Sequence, residues 1–515
     1  MKNFGVWLLL RLGGLVVLYL VLRNVGYSLD SLSQKENIQS DYSAAKGKVK
    51  QVIPAFTNTV QPKLHSKNDT MINDKHNNYT QEVIKTQRVD NKLEKVVVEN
   101  SDKSTLKDGF FNPKNLSSDV GLKFIAKPIP KSLINLVKSL KNPYKLPNCS
   151  VEKAKHNFVY IKTHKTASNT LASIFRRFAY DRDLTIVLPT WMKYSIGWPH
   201  DLRKEFHRES KSGGFNVLLD HTKYTEKYMR EIMPKDTVYI SSWRETWSRL
   251  KSALAFFYVC EWSGINETKA DCMNTFLRDI NYYDSVYKVL PPANKFREYY
   301  YCTPGDMSMV RNSMAAVLAF PVGFPAGVYP DLSNNFTAIK QWLQHTNEVF
   351  SIVLISDHFH ESLIMLKRMM CWSHKDILYE RKNTWNTKYY PTYRQELIDN
   401  LRRWSAADYL AFQFFNRTLW DRVHEWGYED FMDEVKHYAL ILTQVHPFCS
   451  QVKKGEETEE SIVIEASKWD DSFRISRADC EEIYDENDMR EKVKQKDDSI
   501  AVQVNNPPMH IVPGC

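Results

Sequence analysis

Two stretches of this chain place cationic and hydroxyl side chains where a polyanion would meet them. The first reads Tyr160-Ile-Lys-Thr-His-Lys-Thr-Ala-Ser-Asn-Thr170. An apolar run ends near Lys162, small polar residues turn the chain, and a helix is expected from about Ser168. A helix N-terminus presents unpaired N–H groups and the positive end of its dipole, so such a turn suits an anion. Lys162 and Lys165 add charge, while Ser168, Asn169 and Thr170 add neutral donors. The pattern G-x-x-x-x-G-K-[ST] is absent, so this is not a Walker A loop. Taken alone, an ordinary helix cap with surface lysines explains the same residues.

The second stretch reads Val238-Tyr-Ile-Ser-Ser-Trp-Arg-Glu-Thr-Trp-Ser-Arg-Leu-Lys-Ser252. Arg244 stands at a strand exit, with Arg249 and Ser252 on the helix that follows. A guanidinium fork binds oxyanions bidentately, so an arginine with a nearby hydroxyl can clamp a phosphate. The plainer reading is a solvated helix face with Glu245 and Arg249 as an i,i+4 pair. Two histidines, His164 in the first stretch and His221 in Leu219-Asp-His-Thr-Lys-Tyr224, have side chains whose ordinary pKa suits proton transfer near neutrality. Asp357, His358, His360 and Glu361 form a further polar cluster, for which helix capping and an acceptor-side role weigh equally.

The elements that must position these residues read as alternating strands and helices. Phe158–Ile161, 215–219, 237–241 and Ile352–Ile355 are apolar runs of buried-strand type. Helix-type segments follow the first, third and fourth, which predicts an α/β fold with a mainly parallel central sheet flanked by helices. Residues 396–426 read as one long or two shorter amphipathic helices. Residues 5–23 form an apolar run long enough to span a bilayer, behind a tail of residues 1–4. No small-residue cleavage site follows it, so an uncleaved signal anchor is favoured over a removed signal peptide. Residues 24–148 are polar and read as a largely disordered lumenal stem, residues 149–495 as the folded body, and 496–515 as a tail.

Seven N-x-S/T sequons, at Asn68, Asn78, Asn115, Asn148, Asn266, Asn335 and Asn416, fit a glycosylated lumenal chain. Eight cysteines lack C-x-x-C or zinc-type spacing, so no metal site is expected, and sequence cannot choose their pairing. The chain's charge of +9 is unevenly spread, because residues 451–500 hold 16 acidic against 9 basic side chains, leaving +16 on residues 1–450. A basic body suits an anionic ligand, yet no clustered Lys/Arg run or interleaved RNA-binding motif points to nucleic acid.

Together the two junctions resemble the sulfotransferase signature, and most closely the galactose-3-O-sulfotransferase family, which includes the galactosylceramide (cerebroside) sulfotransferase. That family's loop reads KTHKTGSST, and here it is KTHKTASNT at 162–170. VLISDHFHESLIMLKRMMCWSHKDILY (353–379), LRRWSAADYLAFQFFNRTLWDRV (401–423) and RADCEEIYDENDMREKV (477–493) are similar to three further blocks of that family. The resemblance implies a sulfotransferase-like P-loop-type fold and 3′-phosphoadenosine 5′-phosphosulfate (PAPS) as donor, with no metal. It implies a galactose hydroxyl, the 3-OH, of a glycolipid or glycan as acceptor. It also implies a single-pass type II Golgi membrane protein, and allows a homodimer.

Carried onto this sequence, the resemblance makes His164 the base and His221 an auxiliary or acceptor-site residue. Lys165 would stabilise the leaving phosphate and Lys162 contact the phosphosulfate. Thr166, Ser168, Asn169 and Thr170 would hold the 5′-phosphate, and Arg244, Arg249 and Ser252 the 3′-phosphate. Three departures stand out: Ala167 for the family's glycine, Asn169 for a serine, and Thr246 for the usual proline. An alanine strains the loop if that position needs positive φ. Two rival readings remain: a glycosyltransferase holding a metal on Asp181-Arg-Asp183, and an inactive glycan-binding relative. Trp191, Trp198 and Trp262 are further candidates for stacking on a sugar face.

Overall fold

The computed structural model describes residues 122–190, 194–210, 213–265, 269–289, 307–380, 394–484 and 486–496. All lie in one compact unit, residues 115–515. The apolar segment expected to be an anchor, the sequons at Asn68, Asn78, Asn115 and Asn266, and Trp191 lie outside the described residues. Among the described residues no helix is long and apolar enough to cross a membrane.

Four parallel strands form the central sheet: β1 (Phe158–Ile161), β2 (Val217–Leu218), β3 (Val238–Trp243) and β4 (Ile352–Ile355). Their order is β2-β1-β3-β4. β1 and β4 are buried at every position, as continuous apolar runs between two helical layers should be. Phe158 pairs with Val238 and Ile161 with Ser241, so β1 and β3 end side by side. The connection from β1 leads outward to β2, and the next returns past β1 to β3. That reversal is a topological switch point, where open α/β sheets leave a crevice outside the carboxyl ends of their strands. α2 (Ser168–Asp181) follows β1, and α3 (Thr246–Phe256) follows β3. Both expected strand-to-helix junctions therefore open on the same edge.

Ordered structure begins before residue 149, the expected start of the folded body. α1 (Lys131–Ser139) buries Leu133 and Val137. The Arg417 guanidinium, on α5 (Ala406–Glu425), donates to the Leu140 carbonyl. Asn400 bridges to the same segment, accepting from Ala126 N–H at 2.8 Å and donating to Phe124 O at 2.8 Å. The stretch looked stem-like because its anchoring is done by polar contacts to residues more than 270 positions away, which carry no local periodicity.

The C-terminal half extends the body. α4 (Phe359–Met370), α5 and α6 (Tyr428–Lys454) pack against one another and the sheet. The segment expected to hold one or two helices contains Gln395–Trp404 and α5, separated at Ser405. The acidic stretch beyond them folds back onto the basic body. It forms an antiparallel hairpin, β5 (Ser461–Ile464) with β6 (Phe473–Ser476), and then the helices Arg477–Tyr484 and α7 (Glu486–Lys496). Asp479 pairs with Lys375 at 2.9 Å, and Asp470 faces His374 at 2.6 Å and Lys367 at 3.5 Å. Disulfides join Cys149 to Cys371, Cys260 to Cys272 and Cys449 to Cys480.

Candidate functional site

At the β1–α2 junction the chain turns through two residues with positive φ, Lys165 at 67° and Ala167 at 59°. The family's glycine position is therefore a left-handed one, and this chain holds an alanine in it, at a cost of about 1–2 kcal/mol. Strain is tolerated because the loop is tied down from beneath. The Thr163 hydroxyl donates to Ser242 O at 2.5 Å, and Thr166 Oγ1 lies 2.7 Å from Ser242 Oγ and 2.8 Å from Thr163 Oγ1. Tyr160 OH joins Ser242 Oγ at 2.8 Å. Thr166 is fully buried, so its hydroxyl fastens the loop to β3. Ser168 and Thr170 are buried and Asn169 half-buried in the first turn of α2. Lys162 is buried under the loop, whereas the Lys165 ammonium lies 4.0 Å from the Phe256 ring centroid.

The β3–α3 junction reaches across to this loop. Arg244 donates through Nη1 to Lys165 O at 3.2 Å, and its Nε donates to Ser248 Oγ at 2.9 Å. Ser248, one turn along α3, thus holds the Arg244 fork; nothing in the sequence distinguished it from a surface serine. Arg249 has a different environment. It is 1% exposed, and its fork donates to Met309 O at 2.6 Å, Val310 O at 3.0 Å and His164 O at 3.5 Å. The Glu245–Arg249 pair does not form. The Glu245 carboxylate instead caps α3 by accepting from Ser248 N–H at 2.9 Å and pairs with Arg402 at 3.0 Å. Ser252 is half-buried two turns into α3.

Cations crowd the meeting of the two junctions, with Asp357 and Glu245 favouring the Arg244 charge and none of the largest influences on Lys165 being a carboxylate. Among the described residues no carboxylate forms an ion pair with Lys165 or Arg244. Burial, Arg244 and Arg249 lower the Lys165 ammonium to about 8. A bound polyanion would relieve that repulsion, so the residues present fit a phosphate-bearing ligand.

His164 and His221 stack face to face, with ring centroids 4.2 Å apart and planes 8° apart. Trp198 packs against His164 at 4.6 Å. His221 Nδ1 lies 3.1 Å from Lys162 O, and a carbonyl can only accept, so Nδ1 carries the proton and Nε2 the lone pair. Both rings are held well below the ordinary histidine pKa. For His164 the causes are burial and then Arg249, Lys162 and Lys165; for His221 they are burial and then His164 and Lys162. Neutral imidazoles are what a proton acceptor requires.

Three supporting groups carried no signal in the sequence. Asp408 on α5 is buried and raised to about 6, mainly by burial. Its carboxylate accepts from Ala315 N–H at 2.8 Å and Met314 N–H at 3.3 Å, fixing the segment that Arg249 grips. Asn312 Oδ1 accepts from Ala407 N–H at 3.1 Å and ties that segment to α5 again. Asp220, beside His221, faces Arg176 at 2.9 Å and Arg490 at 2.8 Å.

In the polar cluster after β4, His358 stands at the helix cap position without a side-chain cap bond, and Asp357 and His360 reach neighbouring elements. Asp357 accepts from Glu245 N–H at 2.8 Å, bracing the β3–α3 turn, and His360 Nε2 lies 2.9 Å from Tyr379 OH. Asp181 and Asp183 sit at the far end of α2, about 20 Å along a helix of that length from the loop. Asp183 pairs with Lys496, and the intervening Arg182 pairs with Asp376 at 2.7 Å. Trp262 stacks on Tyr287 at 6.1 Å.

Comparison with known proteins identifies the family. A family model described as galactose-3-O-sulfotransferase matches residues 135–464. The chain is 26% identical to mouse (Mus musculus) galactose-3-O-sulfotransferase 2, over 57% of this chain and 70% of that protein. It is 25% identical to human (Homo sapiens) galactosylceramide sulfotransferase, over 57% of this chain and 64% of the relative. Against mouse galactose-3-O-sulfotransferase 3 it is 28% identical, over 54% and 60% respectively.

Proposed function

Because this chain belongs to the galactose-3-O-sulfotransferase family, we propose that it transfers a sulfuryl group from PAPS to the 3-hydroxyl of a galactose unit on a glycolipid or glycoprotein glycan. The observation that carries the reading is the Arg244–Lys165 contact, which brings the cations of both junctions onto one crevice. PAPS supplies the sulfuryl group together with a bisphosphate leaving group. Lys165, the N-terminus of α2 and the Ser168, Asn169 and Thr170 side chains would hold its 5′ end. Arg244 at the strand exit, with Ser252 on the helix that follows, would hold its 3′-phosphate. Arg249 supports this half of the site from below.

The chemistry assigned to the chain is a proton transfer and a charge stabilisation. As the bond from the acceptor oxygen to sulfur forms and the sulfur–phosphate oxygen bond breaks, the hydroxyl proton passes to His164. Lys165 donates a hydrogen bond to the departing phosphate oxygen, stabilising charge where it develops. His221, its tautomer set by Lys162 O, shields and orients His164. We take the fold as the sulfotransferase P-loop type. The whole protein is read as a Golgi type II membrane protein anchored by residues 5–23, its stem preceding the body.

Incubating the lumenal part with radiolabelled PAPS and a panel of galactosides tests the reading. Label on β-galactosides, undiminished by EDTA, supports it. No label on any galactoside, with no binding of adenosine 3′,5′-bisphosphate at millimolar concentration, would favour the inactive relative, a reading supported by the Ala167 and Asn169 departures.

A further inference from the structure

α7 lies at the end of the described chain, in a segment dominated by charged residues, yet one of its side chains runs inward to the histidine pair. Arg490 is 4% exposed and its Nη1 lies 2.8 Å from Asp220 Oδ1. Arg176, on α2, brings its Nη2 to the same oxygen at 2.9 Å. All three side chains are at least nine-tenths buried. Asp220 immediately precedes His221, so the two guanidinium groups fix the backbone from which the imidazole projects.

A second route leads from Arg490 to the same residue. Its guanidinium packs over the Tyr194 ring at 4.7 Å. Tyr194 O accepts from His221 N–H at 3.1 Å, and His221 O accepts from Ile196 N–H at 2.7 Å and the Ser195 hydroxyl at 3.2 Å. The His221 peptide groups are thereby held on one side by residues 194–196 and on the other by Asp220. Arg490 braces both. The ring so placed meets the Lys162 carbonyl and lies nearly parallel to His164.

We infer that Asp220, clamped between Arg176 and Arg490, is a positioning residue for the histidine pair, and that α7 acts as a strap completing the acid–base half of the site. The inference rests on the reading of the stacked histidines as the place of proton transfer. A buried ion cluster is often only structural, and replacing it can leave stability unchanged. A positioning role makes a different demand. Lys165 and Arg244, the cations that would hold the donor, meet where the β1–α2 and β3–α3 junctions touch, whereas Asp220 is gripped by Arg176 and Arg490, so loosening the strap should slow the chemical step while leaving donor affinity in place.

The test is steady-state kinetics of Arg490→Gln, Arg490→Lys and Asp220→Asn, with folded sites counted by calorimetric titration with adenosine 3′,5′-bisphosphate. In Arg490→Gln, kcat per folded site should fall by about tenfold to a hundredfold, the scale of a misplacement near 1 Å, while the KM for PAPS moves by less than about twofold. Arg490→Lys keeps the charge and should recover part of that loss. Asp220→Asn should act in the same direction and more strongly. If it does not fold, Arg490→Gln, which leaves Asp220 paired with Arg176, carries the test. Unchanged kcat per folded site in both Arg490 variants, with normal transfer by the unaltered chain, overturns this inference alone. Absence of transfer by the unaltered chain overturns the functional reading and this inference with it.

Discussion

The two strand-to-helix junctions are built from similar parts and spend them in opposite ways. At β1–α2 the hydroxyls turn inward, where Thr163 and Thr166 bind Ser242, and the Lys165 side chain is left at the crevice. At β3–α3 the split falls between two arginines five positions apart. Arg244 is steered by Ser248 and touches the loop backbone, whereas the fork of Arg249 is consumed by the carbonyls of residues 164, 309 and 310. Residue type announced that both junctions could hold an anion. Which cation faces the ligand was decided by its neighbours.

Substitutions can break this comparison directly. Lys165→Ala and Arg244→Ala should each lower sulfuryl transfer by at least about a hundredfold, the effect of removing one preorganised donor from a developing charge. Both should still fold, as read by circular dichroism and secretion of a soluble truncation. His164→Ala should abolish transfer with donor binding largely kept, measured by calorimetry. Arg249→Ala should behave differently from Arg244→Ala. By stranding buried carbonyls it should cost about 3 kcal/mol of stability, read by chemical denaturation. Equal losses of stability in the two arginine variants would erase the distinction drawn here.

The distinction also predicts how pH acts. Lys165, held near 8, must be protonated to serve, so kcat/KM should fall as pH rises through about 8. The histidines must be neutral and their pKa values lie below 6.5, so the acid limb should fall below 6.5. Because the unfolded chain binds more protons between about 8 and 10.5, Lys165 contributes a rise in the stability of the unliganded protein across that window. A bound bisphosphate would raise the Lys165 pKa again. Binding at pH 8 should therefore take up protons, measurable as a dependence of binding heat on the ionisation enthalpy of the buffer.

Much of this was legible in the sequence, for identifiable reasons. The bounds of β1 and β4 and the start of α2 follow from short apolar runs ending in small polar residues. The positive φ at residue 167 was legible only as a conditional, from a glycine in the family pattern. What stayed hidden was held by single polar contacts over long separations. Asp408 acts on residues 314 and 315, Asn400 on residues 124 and 126, and Arg490 on Asp220. None of these has a local pattern, because each is one side chain meeting a distant backbone or charge. The smallest effect belongs to Ala167→Gly, which removes left-handed strain but adds freedom to the unfolded chain. A net gain of under about 1 kcal/mol should appear in thermal unfolding, with donor affinity equal or better.

The account turns on one anion being gripped by both junctions at once. Calorimetric titration of adenosine 3′,5′-bisphosphate into the unaltered chain, Lys165→Ala, Arg244→Ala and the double variant measures this without any acceptor. Weakened binding in each single variant, with a further loss in the double variant, is the predicted result, since the Arg244 contact is to the Lys165 backbone carbonyl, which alanine retains, and each side chain brings its own charge to the anion. Undiminished affinity in either single variant would contradict the shared site.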